Sequence, residues 1–304
     1  MRRDHDRMDL QQLRYVVAVA ATGSFTRAAE QCFVTQSALS HQMAALEREL
    51  GHRLFARSSR SVRLTEAGEA FLEHARVAVR AAEQAKDAVA AIAGEVTGTL
   101  RLGAIPTVTA ISVPELLRAF REAHPAARVE LRGGNSDELI AALRRDDLDI
   151  ALLGLRGDLE PAGVASRAVQ HQRLVAVLPH DHGLATRRRL RLADLAGCAF
   201  ADFPAGTSGR AQSDAAFTAA GLERDVAFEV DTAPLLLGLV RAGLAVTLLA
   251  PGVVDGAEGV VAVAVSDGPE RTEYVAWDAV APRGVARALL AVLDGMRNQE
   301  SDRG

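Results

Sequence analysis

The sequence predicts an α/β chain in three successive parts: a small helical head that ends in a hairpin, one long helix, and a larger domain of two lobes. Three observations carry this. Apolar residues recur at helical spacing up to about residue 50 and are followed by a basic hairpin pattern. A heptad repeat then runs from Phe71 to Ile92. After a break near Gly98, strand and helix patterns alternate almost to the C-terminus.

The bulk numbers agree. With 304 residues the chain is too long for one ordinary core. Hydrophobic residues make up 49% and charged residues 24%, the composition of a soluble globular protein. No apolar run approaches the roughly 18 residues of a membrane span; the longest, from Leu235 to Ala250, is cut by Arg241. The charged N-terminus argues against a secretory signal. Two cysteines, Cys32 and Cys198, fit a reducing cytoplasm and no disulfide framework. Net charge is −4, but residues 1–68 hold ten Arg against seven Asp and Glu, or +3, while residues 69–98 come to −2 and the remainder to −5. The head is the positive part.

In the head, Leu10, Leu13, Val16, Val17 and Ala20 predict a helix over about 9–21, ended by Gly23. Ser24 starts a short second helix. Cys32-Phe33-Val34 reads as a tight apolar turn. Thr35 then caps a third helix, with Leu39, Met43, Leu46 and Leu50 on one face and Gly51 as its stop. The opposite face presents Gln36, Ser37, Ser40 and His41 near the helix start, with no acid among them. Such groups suit base edges in a DNA major groove, where Gln can pair with adenine through two hydrogen bonds. The run Gly51 to Arg63 holds Arg53, Arg57, Arg60 and Arg63 without an acid, and Phe55 and Val62 flank its tip. A basic hairpin beside such a helix suits phosphate contacts. A charged surface loop with no function would mix signs.

From Leu10 to Gly68, including the run RYVVAVAATGSFTRAAEQCFVTQSALSHQMAALERELGHRLFARSSRSVRLTEAG, the sequence resembles the LysR-type transcriptional regulators. The resemblance implies that Thr35, Gln36, Ser37, Ser40 and His41 lie at or near the DNA-reading face, with Arg53, Arg57 and Arg63 in the wing. Ala44 and Ala45 stand where many relatives carry basic residues. The implied parts are a winged helix-turn-helix at 8–64, a linker and dimerisation helix with its hinge at 65–98, and an effector-binding domain at 99–304. The implied partners are double-stranded DNA at an inverted-repeat promoter site, a small-molecule effector, a second copy in a dimer or tetramer, and RNA polymerase as a further candidate.

Phe71, Ala75, Ala78, Ala82, Ala85, Val89 and Ile92 alternate spacings of four and three, the seam of a two-helix coiled coil. The seam is mostly Ala and buries little area per residue, so it is too weak to hold a dimer alone. The segment 95–98 breaks the pattern and reads as a hinge.

Beyond it, strands are expected at 99–104, 128–131, 149–153, 174–178, 199–203, 226–230, 245–249 and 274–279. Helices are expected at 114–124, 136–145, 208–220, 233–242 and 285–297, with a loose tail from Gln299. The first set is a βαβαβ unit and predicts a parallel sheet. Two such lobes form a cleft where strand ends meet. This resembles the bilobal periplasmic-binding-protein-like effector domain of the LysR-type family, with lobe one at 99–162 and 268–300 and lobe two at 163–267.

Three loops at strand ends are candidate cleft segments. They supply Pro106, Thr107 and Val108; Asn135 and Ser136; and Phe203 and Thr207. Each offers hydroxyls or free N–H groups near a helix start, which suits a carboxylate or other anion, although Ser and Thr there also serve as ordinary caps. No Arg or Lys lies in these loops, so charge compensation is expected from helix N-termini. The His180-Asp181-His182 stretch lacks a third clustered ligand and reads as a turn, not a metal site. No nucleophile–base set, metal cluster or Gly-rich phosphate loop is found, so neither a catalytic residue nor a cofactor is expected. The segments 102–108 and 194–197 resemble the peroxide-sensing branch of the family. Ser208 falls about where that branch carries its reactive cysteine, which disfavours thiol-based sensing.

Overall fold

A computed structural model of the chain describes residues 8–57, 62–92, 95–279 and 282–301. It divides into two units, residues 1–94 and 95–304.

The first unit holds α1 (Leu10–Thr22), α2 (Phe25–Gln31), α3 (Gln36–Leu50), the antiparallel hairpin of β1 (Phe55–Arg57) and β2 (Val62–Leu64), and α4 (Glu66–Ile92). Local chemistry fixes the helix ends. Asp9 and Gln12 form a reciprocal capping box on α1, Gly23 ends it at φ 61, and Ser24 and Thr35 cap α2 and α3. Val16, Val19, Ala28, Leu39, Met43 and Leu46 make the core, with Phe25 edge-on to Phe55 at 5.9 Å. The turn before α3 is less apolar than expected. Val34 packs against the core, but Phe33 sits at φ 56 with its ring exposed.

The start of the long helix belongs to this core. Leu72 is buried in it, Phe71 packs against it, and Ala75 one turn further on is buried as well. Ala78, Ala85 and Val89, further along the heptad, are exposed. Gly68 lies so close to the loop before β1 that a Cβ there would sit 2.0 Å from the Leu54 carbonyl oxygen.

In the second unit, lobe one is built on a five-stranded sheet of order β4-β3-β5-β13-β6. Here β3 (Gly98–Ala104), β4 (Ala127–Gly133) and β5 (Ile150–Arg156) are parallel, as expected of a βαβαβ unit. The strand β13 (Glu270–Trp277) runs antiparallel to both β5 and β6 (Ala165–Arg173). Both faces of β5 are buried. Ile150 and Leu152 pack with α5 (Val113–Ala123) and α11 (Gly284–Ser301), while Ala151 and Leu153 pack with α6 (Ser136–Arg144).

Lobe two has a four-stranded sheet of order β11-β7-β12-β8, formed by β7 (Val175–Pro179), β8 (Arg189–Leu190), β11 (Thr247–Leu249) and β12 (Val260–Val265). It is mainly antiparallel. A parallel pair, β9 (Ala199–Asp202) and β10 (Asp225–Glu229), adjoins it through Val246. Around them lie α7 (Leu192–Leu195), α8 (Ser208–Ala219), α9 (Ala233–Arg241) and α10 (Pro251–Val254).

Several sequence expectations change. The strand β6 is half exposed and polar, so it lacked an apolar signal, yet it pairs along the length of β13. Residues up to Arg173 therefore belong to the sheet of lobe one, and the chain crosses at Leu174, whose N–H donates to the Pro269 carbonyl at 2.9 Å on the returning segment. The strand β5 continues past Gly154 to Arg156, and α11 continues through Gln299 to Ser301, where a loose tail was expected. The strand β12 was missed altogether.

Candidate functional site

Two sites take shape, one in each unit. In the head, the capped start of α3 carries Gln36, Ser37 and His41 exposed and Ser40 half-buried. Gln36 Nε2 donates to Ser40 Oγ at 2.9 Å, and Thr35 Oγ1 lies 3.1 Å from Ser37 Oγ while accepting from the Ala38 N–H. This places all five predicted readers on one exposed helix start, with Leu39, Met43 and Leu46 holding the other face in the core. Ala44 is exposed and Ala45 half-buried. Glu47 fixes the wing to α3: its Oε1 accepts from the N–H groups of Leu54 and Phe55, at 2.8 and 3.2 Å. Thr65 at the other end of the hairpin donates to the Arg53 carbonyl at 2.6 Å. Arg53 and Arg63 are exposed, and Arg57 stands in register with Val62. Arg60 lies outside the described residues.

The second site is a cavity of about 580 Å³ between the lobes, within the usual size range of small-molecule sites. Lobe one contributes Pro106, Thr107, Asn135 and Ser136, and lobe two contributes Phe203 and Thr207. Val108 is not in the wall; it packs into the cores of lobe one. Three helix starts reach the cavity, those of α6, α8 and α9. Much of their polar capacity is already spent. Ser136 Oγ donates to the Gly154 carbonyl at 3.0 Å and accepts from the Gly154 N–H at 3.1 Å. Thr207 donates to the Pro204 carbonyl at 2.8 Å and accepts from the Arg210 N–H, and Asn135 caps α6. At the start of α8, the carboxylate of Asp137 takes the Ser208 N–H at 3.0 Å and its hydroxyl at 2.6 Å. At α9, by contrast, the N-cap Thr232 makes no side-chain cap hydrogen bond, so of the three helix starts this one is the least occupied.

A cationic side chain also reaches the cavity, from a strand. Arg271 on β13 borders the cavity and is 4% exposed. Its Nη1 donates to Thr107 Oγ1 at 2.9 Å, and its Nη2 donates to the Thr107 carbonyl at 2.6 Å and to Glu273 Oε1 at 2.8 Å. Burial pulls the Arg271 pKa down, and Glu273 opposes that pull. Glu273 is buried and accepts further bonds from the N–H groups of Thr109 and Ala110, the Thr109 hydroxyl and Gln172 Nε2. Gln212 on α8 also lines the cavity. Sequence reading missed Arg271 because Glu-Arg-Thr-Glu before Tyr274 resembles a loop, and Gln212 because nothing local marks it.

The His180–His182 segment is a turn, and His182 Nδ1 accepts from the Leu184 N–H at 3.2 Å. Among the described residues, no group of three or more His, Cys, Asp or Glu could hold a metal, and no helix is long and apolar enough to cross a membrane.

Comparison with known proteins matches both units. Residues 10–69 match the family described as bacterial regulatory helix-turn-helix protein, lysR family, and residues 93–297 match the LysR substrate binding domain. The transcriptional dual regulator GltC of Bacillus subtilis is 34% identical over 242 residues, covering 80% of each chain. A full-length OxyR variant from Pseudomonas aeruginosa superposes with a TM-score of 0.74 at 26% identity, covering 94% of this chain and 95% of that one. Full-length CbnR complexed with its target DNA gives 0.64 at 27% identity, covering 94% and 98%. The chain belongs to the LysR family of bacterial DNA-binding transcription regulators.

Proposed function

We propose that this protein binds an inverted-repeat promoter site through Gln36, Ser37, Ser40 and His41, with wing arginines on the phosphates. Its occupancy of that site changes when a small molecule fills the cavity between the lobes of the C-terminal unit. The observation that carries the reading is the pairing of two features in one chain: an acid-free DNA-reading helix face with a basic wing, and a ligand-sized cavity walled by both lobes of a separate unit. The CbnR structure with DNA supports the first half. A ligand with different affinity for open and closed lobes would shift the balance between them, and tight binding without such a difference would shift nothing. The exposed Ala78, Ala85 and Val89 positions support self-association through α4 as a dimer or dimer of dimers, which sedimentation tests. We read the protein as cytoplasmic, where its DNA is, and as binding its ligand without turnover. Genome-wide mapping of bound DNA, followed by footprinting with metabolites of the adjoining genes, tests the whole reading. A compound that alters the footprint and is recovered chemically unchanged supports it. A footprint indifferent to every such compound overturns the sensing half.

A further inference from the structure

The hydrogen bonding around Arg271 is lopsided. A guanidinium carries five N–H groups, and Arg271 uses three, two on Thr107 and one on Glu273. Its Nε is buried with no partner. Glu273, by contrast, is oversupplied: besides Arg271 it has the Thr109 and Ala110 N–H groups at 3.0 Å, the Thr109 hydroxyl at 2.7 Å and Gln172 at 2.9 Å. The negative member of the pair is satisfied without its partner, and the positive member keeps unused donors beside a cavity.

Two further features fit. Gly154 faces the guanidinium, and a Cβ there would lie 2.7 Å from Nε, so the guanidinium can pack this close to β5 only because the residue is glycine. On the opposite lobe, Gln212 is 3% exposed and its Oε1 is buried without a hydrogen-bond partner. A buried polar atom left unmatched is destabilising and calls for an explanation. Here two such atoms, one from each lobe, belong to residues that wall the same cavity. Between them the walls are apolar, with Ile105, Leu174, Phe203 and Leu249. The rim carries Glu138 and Asp231, which disfavours a dianion.

We propose that the cavity takes a small organic monocarboxylic acid, its carboxylate received by Arg271 of lobe one and a hydrogen-bond donor on its body received by Gln212 of lobe two, so that one ligand ties the lobes together. This rests on the cavity being the effector site, and the test separates the two ideas.

The full-length protein is examined by thermal shift and calorimetry with matched acids and primary amides, benzoate against benzamide and 4-hydroxybenzoate against 4-hydroxybenzamide, with phenyl phosphate as the dianion. The acids should raise Tm, and the amides and phenyl phosphate should not. Because Arg271→Met alone leaves the buried Glu273 hydrogen-bonded but without its countercharge, the charge-neutral double variant Arg271→Met with Glu273→Gln is used. It should fold and lose acid preference by about tenfold or more in Kd. Gln212→Leu should weaken the hydroxylated acid while keeping acids ahead of amides. Amides binding as well as acids, no acid stabilising the wild type, or a double variant that keeps its acid preference each overturns the assignment. Footprinting distinguishes the failures. Neutral compounds that change the footprint leave the effector site standing without its carboxylate anchor. Acids that bind through Arg271 yet never change the footprint leave the anchor standing without its regulatory role.

Discussion

Asp137 of α6 and Ser208 of α8 meet across the cleft: the aspartate Oδ2 accepts both the Ser208 N–H, at 3.0 Å, and its hydroxyl, at 2.6 Å. A carboxylate from lobe one thus caps a helix of lobe two, where the partial positive charge of the helix start favours an anion. The contact is a latch between lobes and already fills an obvious anion site in the cleft. Asp137→Ala should destabilise the C-terminal unit by about 0.5–2 kcal/mol, the usual cost of a lost cap. Hydrogen exchange should show faster opening at the first turn of α8. Unchanged exchange there would mean that the latch bears no load.

Thr107 is the other hub of the cleft, since it accepts from Arg271 through both its hydroxyl and its carbonyl. Thr107→Val keeps the shape and the carbonyl contact but removes the hydroxyl acceptor, stranding a buried charged donor at about 1–3 kcal/mol. The variant should lose its response to inducer while binding DNA normally in a gel shift. A normal response would move sensing elsewhere in the unit.

Gly68 packs on the backbone of Leu54, whose carbonyl oxygen also accepts from the Thr65 N–H at 2.9 Å. Gly68→Ala sets its Cβ against backbone, which cannot rotate away, and overpacking of this kind costs about 1–3 kcal/mol. The first thermal transition should fall, and DNA affinity with it, because Leu54 and Phe55 lead directly into the wing. An alanine variant with wild-type Tm would show that the hairpin can shift freely.

On DNA, Gln36→Ala should reduce discrimination between the specific site and random sequence by about 1–3 kcal/mol if the contact is bidentate. Arg63→Ala, exposed on β2, should weaken both alike and lower the slope of log K against log salt by about 0.9. Equal losses on both DNAs for Gln36→Ala would remove it from base readout.

Burial raises the pKa of both Cys32 and Cys198; for Cys32, nearby Arg14 pulls the other way without cancelling the effect. Their thiolate fraction at pH 8 should therefore lie below that of an unperturbed cysteine. Iodoacetamide labelling of the folded protein should be slower than of the urea-unfolded protein, and should accelerate above pH 9. Rapid labelling at pH 7 would reopen thiol-based sensing.

The head was legible because its signals are local. Capping at Ser24 and Thr35, the stops at Gly23 and Gly51, and the buried Leu39-Met43-Leu46 stripe each act within a turn or two of helix, so spacing alone fixed which face of α3 is buried and which is exposed. The alternating strands and helices around β3 and β5 were legible because their signals are also local: β5 is a near-continuous apolar run, and α5 and α6 are amphipathic. What only the tertiary structure decided depends on partners far apart in the chain. The polar edge strand β6 exists because β13 returns beside it. Glu273 is satisfied by the N–H groups of Thr109 and Ala110. Arg271 becomes a cavity residue because the segment crossing back from lobe two sets it against Thr107, 164 residues away in sequence. Gly154 matters because of what lies opposite it. A side chain's role in a cleft is set by the residues across the gap, and their spacing in sequence carries no trace of that proximity.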